Sequence, residues 1–149
     1  MKFSECISSL PIAPGILIFK LVDIDLKGKI QFIEKSFVYN QLCSVFSNQY
    51  AISAGINAVT RDPLTFDHAK SVLDVLLQAK SKINSTYRKF DSVSIDAEPI
   101  YSPKEKHKDE INTLDFITEL VNLINTKLDL PVNLYISPAK LKFICEMKE

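Results

Sequence analysis

The stretch 51–98, AISAGINAVTRDPLTFDHAKSVLDVLLQAKSKINSTYRKFDSVSIDAE, changes its hydrophobic period twice, and that change decides the fold. Between Ala51 and Thr60 the apolar residues Ile52, Ala54, Ile56 and Ala58 recur every second position, the period of a strand with one buried face. Asp62, Pro63 and Thr65 then supply the chemistry of a helix start, since proline is tolerated only in a first turn. Phe66, Ala69, Val72, Leu73, Leu76, Ala79, Lys80 and Ile83 follow the i, i+3, i+4, i+7 rule. That spacing predicts a helix of about five turns with one buried stripe. At Val93, Ile95 and Ala97 the period returns to two, set against Ser94, Asp96 and Glu98, and Pro99 ends the run. The segment therefore reads as strand, helix, strand.

Upstream, Ile16–Leu26 is rich in β-branched and aromatic residues. Leu26–Lys27–Gly28–Lys29 is a turn whose glycine can take a positive φ, and Ile30–Ile33 returns as the second strand of a hairpin. Phe3, Ile7 and Leu10 share a face over residues 2–10, and Val38, Leu42, Val45 and Phe46 do so after Ser36, each predicting a helical segment. Downstream, Ser102–Glu110 (SPKEKHKDE) is uninterrupted polar and reads as a charged flexible loop. Thr113 is placed to cap a second long helix with Phe116, Ile117, Leu120, Val121, Ile124 and Leu128 on one face. Pro131 closes it and Val132–Ile136 forms a strand. Leu141, Phe143, Cys145 and Met147 alternate with charged residues, predicting a last strand that turns at Ser137–Pro138–Ala139. The expected architecture is α+β, or α/β, in one domain spanning 1–149: a mixed sheet of five to six strands packed by two or three long helices.

Composition narrows the functions available. With 149 residues, 46% of them hydrophobic, the chain can bury its own core. Eighteen basic side chains balance eighteen acidic ones, and arginine occurs only at Arg61 and Arg88. No basic face is present to attract nucleic acid. Gly15, Gly28 and Gly55 stand alone, so no glycine-rich loop exists to cradle a phosphate, and no cofactor is expected. Cys6, Cys43 and Cys145 lack the paired spacing of a zinc site and the density of a disulfide scaffold. The apolar run Ile16–Leu21 is far shorter than the roughly 20 residues of a membrane span, and Glu5 interrupts any export signal. A cytoplasmic, membrane-free protein is expected.

Three groups of side chains are candidates for chemistry or recognition. Asp23 and Asp25 lie two apart on a predicted strand, with Lys27 one step further; paired carboxylates with a lysine can hold a divalent ion and stabilise phosphoryl charge. Asp96 and Glu98 repeat the pattern, and all four carboxylates would converge if their strands were neighbours. His68, beside Asp67 in a helix's first turn, reads as a capping residue, and His107 as a solvated one. Tyr87, Arg88 and Tyr101 are the third group, of residue types enriched at binding hot spots.

The expected function is non-catalytic: a binding protein that acts on one specific protein partner, in the manner of an immunity or antitoxin-like protein neutralising a toxin, with Tyr87, Arg88 and Tyr101 in contact. Shape and charge complementarity leave no short motif behind. The competing reading is a small divalent-metal-dependent nuclease or phosphodiesterase using Asp23, Asp25, Asp96 and Glu98.

Overall fold

A computed structural model describes residues 16–33, 51–60, 63–81, 90–97 and 106–135. Strands β1 (Ile16–Ile24) and β2 (Ile30–Phe32) form the expected hairpin. They are followed by β3 (Ala51–Ala58), helix α1 (Phe66–Ser81), β4 (Ser92–Ala97), helix α2 (Lys106–Lys127) and β5 (Val132–Tyr135). The five strands make one mixed sheet in the order β2-β1-β3-β4-β5. Only the β1–β2 pair is antiparallel; β1, β3, β4 and β5 run parallel. The short helices expected over 2–10 and after Ser36, the last strand over 141–147 and all three cysteines lie outside the described residues.

The core follows from the alternation in the strands. Val22, Ile24, Ala54, Ile56, Ala58, Val93, Ile95 and Ala97 point to one face and are buried together with the stripes of both helices. From α1 that stripe is Ala69, Val72, Leu73, Leu76 and Ala79; from α2 it is Phe116, Ile117, Leu120 and Ile124, with Leu128 just beyond the helix end. Both helices thus cover the same face, as right-handed crossovers between successive parallel strands require. Among the described residues, no helix is long and apolar enough to cross a membrane.

Local chemistry sets the element ends. Thr65 caps α1: its Oγ1 accepts the His68 N–H at 3.5 Å, and His68 Nδ1 accepts the Thr65 N–H at 3.0 Å. This is the reciprocal arrangement of a capping box, with an imidazole in the place usually held by Glu or Gln. His68 is therefore a helix-start residue, in line with its sequence context. The hairpin closes through a three-residue loop, Leu26–Lys27–Gly28, with Asp25 N–H bonded to Lys29 O at 3.0 Å and Gly28 at φ 75°.

The start of α2 departs from expectation. The helix begins at Lys106, inside the run read as a loop over 102–110, and Thr113 is a buried interior residue rather than a cap. Lysine and glutamate are good helix formers, so a polar, charged run is as able to extend a helix as to form a loop once a packed segment follows it.

Past the far end of α2, Asp129 takes φ 52°, the left-handed conformation of a helix C-cap. A residue with a Cβ is disfavoured there, and an acidic residue close to a helix C-terminus is unfavourable to the helix dipole. Asp129→Gly is accordingly expected to stabilise the protein by roughly 0.5–1 kcal/mol, read as a higher urea midpoint with an unchanged slope.

Candidate ligand site on the polar face of the sheet

On the face opposite α1 and α2, the strands present polar residues in register. Lys20 pairs with Gly55, Gly55 with Ser94 and Ser94 with Asn133, giving one row across four parallel strands. The next row towards the carboxyl ends is Asp23, Asn57, Asp96 and Tyr135. Two parallel-sheet rules meet here. Central parallel strands are normally apolar on both faces, so alternating polar residues in β3 and β4 mark a face that is not plain core. Ligands of such sheets bind at the carboxyl ends of the strands.

Hydrogen bonds tie the Ser94–Asn133 row to Ser53 and Ser92, which pair with each other one row below. Ser53 Oγ and Ser94 Oγ lie 2.6 Å apart, and Asn133 Nδ2 donates to Ser92 Oγ at 3.3 Å and to Ser94 Oγ at 3.5 Å. Ser53 and Ser94 are buried, so these bonds satisfy groups that would otherwise be costly.

Asp23 reaches this face because β1 carries a bulge. The register with β3 slips between Lys20 and Val22, inserting Leu21, so that residues three apart share a face. Lys20 Nζ then lies 2.7 Å from Asp23 Oδ1, and Asn57 Nδ2 donates to the same oxygen at 3.1 Å. Partial burial works against the charged form of Asp23. The hydrogen bonds from Lys20 and Asn57, together with the Lys20 charge, outweigh it and hold the carboxyl below its ordinary value of 3.8. Gly55 makes the bulge possible: a Cβ there would lie 3.0 Å from both Phe19 O and Ile18 Cγ2, and 3.3 Å from Lys20 Cα.

A cavity of ≈ 270 Å³ opens over these rows, walled by Ile18, Gly55 and Tyr135 and carrying Lys20, Asn57 and Asp96. No family model, curated protein or solved structure matches this chain. Its function must be read from this geometry.

Among the described residues, Asp23, Asp25 and Asp96 do not converge as a metal centre would need. Strand β3 lies between β1 and β4, so Asp23 and Asp96 stand two strand spacings apart, roughly 10 Å between backbones. Asp25 lies past the end of β1. Its Oδ1 accepts the N–H groups of Lys27 (2.9 Å) and Lys29 (3.0 Å), and Gln31 Nε2 reaches Oδ2 at 3.4 Å. Among the described residues, no three His, Cys, Asp or Glu side chains are grouped to hold a metal ion. Glu98, Tyr87, Arg88 and Tyr101 lie outside the described residues.

Asp25 is thus a turn residue, and its bonds to Lys29 and Lys27 hold its carboxyl below the ordinary value of 3.8. A carboxyl depressed by folding contributes stability that is present above its unfolded value and lost as pH falls through the folded one. Asn keeps the accepting oxygen but cannot titrate. The Asp25→Asn variant should therefore lose less stability than the wild type between about pH 5 and pH 3, measured by urea unfolding at each pH.

Proposed function

We propose that this protein works by binding, and that its working surface is the polar face at the carboxyl ends of β1, β3, β4 and β5. The observation that carries the reading is the single cross-strand row Asp23–Asn57–Asp96–Tyr135 bordering a concave space of ≈ 270 Å³. A concave, largely apolar space with a few converging polar groups is the usual form of a small-molecule site. A volume near the lower end of that class suits one ring or a short chain.

The side chains say which ligands fit. Asn57 supplies an amide, Asp96 a carboxylate and Tyr135 a phenol, while the Lys20 ammonium is already paired with Asp23. An anionic ligand would meet Asp96 with no unpaired cation lining the groove to offset it among the described residues. The reading favours a small polar molecule without negative charge. A protein partner contacting Tyr87, Arg88 and Tyr101 remains a separate proposal that rests on sequence alone. The nuclease or phosphodiesterase reading on Asp23, Asp25, Asp96 and Glu98 is less favoured, because Asp25 bonds the turn and Asp23 pairs with Lys20.

The test is a fragment mixture of neutral and cationic small molecules titrated into isotopically labelled protein, followed by amide chemical shifts. Binding should perturb Gly55, Asn57, Ser94 and Asp96 together, and Asn57→Leu should weaken it. Perturbations confined to the helix face, or none at millimolar fragment, would remove the reading.

A further inference from the structure

Resting on that assignment of the groove, we infer that its ligand is a small organic cation, an amine or guanidine, with Asp96 as its counter-charge and Tyr135 as its aromatic wall. Three observations lead there. Lys20 and Asp23 form an ion pair at 2.7 Å and cancel in formal charge. The lining itself carries two formal charges, the Lys20 ammonium, already paired with Asp23, and the Asp96 carboxylate, which is exposed at the carboxyl end of β4 and which no hydrogen bond or ion pair holds among the described residues. Its register neighbours are the uncharged Asn57 on one side and Tyr135, half exposed, on the other.

Desolvation selects among ligands. Any molecule that fills the groove takes water from Asp96, and a carboxylate stripped of water is costly unless a positive charge or strong donors replace it. A neutral molecule offers weak compensation. An anion adds repulsion. An ammonium or guanidinium donates charge-assisted hydrogen bonds to Asp96 and is also attracted to the face of an aromatic ring such as that of Tyr135. Ile18 and the bare backbone at Gly55 suit the hydrocarbon part of such a molecule. The Lys20–Asp23 pair keeps the neighbouring acid from competing for the same cation, so the charge is read at one position of the row.

Three probes share one ring and differ in charge: cyclohexylamine, cyclohexanol and cyclohexanecarboxylate. Each is titrated at neutral pH and low salt, with amide shifts at Gly55, Asn57 and Asp96 as the readout. The amine should bind about tenfold or more tightly than the alcohol, weaken as salt is added, and leave the carboxylate with no measurable binding. Asp96→Asn should erase the preference for the amine while the melting temperature stays near that of the wild type. If the alcohol binds as tightly as the amine, or the preference survives Asp96→Asn, the cation inference falls and the groove stands. If none of the three perturbs those amides, both fall.

Discussion

Gly55→Val should unfold more of this protein than any substitution on the polar face whose side chain reaches solvent. The site requires space, not an unusual backbone angle. Gly28 is the glycine with positive φ among the described residues, and Gly55 is not. A Cβ at Gly55 would stand 3.0 Å from the carbonyl oxygen of Phe19 and 3.3 Å from Cα of Lys20. Both are backbone atoms, and neither can swing aside as a side chain would. Valine adds two methyl groups to that contact, so β1 must move away from β3 or the bulge at Leu21 must close. Closing it would return Lys20 and Asp23 to opposite faces and break the 2.7 Å ion pair. Overpacking of this kind costs roughly 1–3 kcal/mol and occasionally more; alanine should fall within that range and valine at or above its upper end. At roughly 2–4 °C per kcal/mol for a chain of this size, valine should lower the melting temperature by about 6–12 °C. Urea unfolding measures the loss, and the Asn57 side-chain amide signal reports whether its bond to Asp23 survives. A Gly55→Ala protein as stable as the wild type would show that β1 yields and that Gly55 does not set the bulge.

The same position explains what could be read from the sequence and what could not. The strand 51–58, the helix 66–81 and the strand 92–97 were legible because each carries a clean period and the helix has a capping residue at its start. The hairpin turn was legible from a glycine between two apolar runs. The partner of Asp23 was not. Counting by twos along an ideal strand pairs Asp23 with Asp25 and Lys27, whereas the bulge pairs it with Lys20, and the strand ends before Asp25. A bulge is a property of two strands in register, and one strand's pattern does not contain it. A signal did exist on the partner: glycine in the middle of β3 marks a close backbone approach. The polar stripes Ser53–Gly55–Asn57 and Ser92–Ser94–Asp96 were also present. They gained meaning only when the strands proved parallel and central, because the same stripes on an antiparallel sheet would mark an ordinary solvent face. The early start of α2 is not legible for a different reason. Charged residues are permitted in helices and loops alike, and tertiary packing further along the chain decided between them.

Phe116→Ala should produce the largest loss of stability, and it should do so without touching the ligand groove. Phe116 is the bulkiest fully buried side chain among the described residues. It lies on α2, one turn from Leu120 and two from Ile124, on the face that meets α1 and the apolar side of the sheet. Removing its ring leaves a cavity walled by rigid elements: two packed helices on one side and the parallel strands on the other. Little collapse is available to fill it, so the lost transfer energy and the cavity cost should add. Substitutions of this kind cost about 3–5 kcal/mol, against a total of roughly 5–15 kcal/mol for a natural domain. The melting temperature should drop by about 6–20 °C at roughly 2–4 °C per kcal/mol. Phe116→Leu, which keeps most of the volume, should cost far less. Because Phe116 and the Asp23–Asn57–Asp96–Tyr135 row lie on opposite faces of one sheet, the folded fraction of Phe116→Ala should bind cyclohexylamine with the affinity of the wild type at low temperature. Gly55→Val should lose stability and binding together. Loss of binding in folded Phe116→Ala would mean that the helix face and the polar face are coupled through the strands, and that the groove is not set by strand register alone.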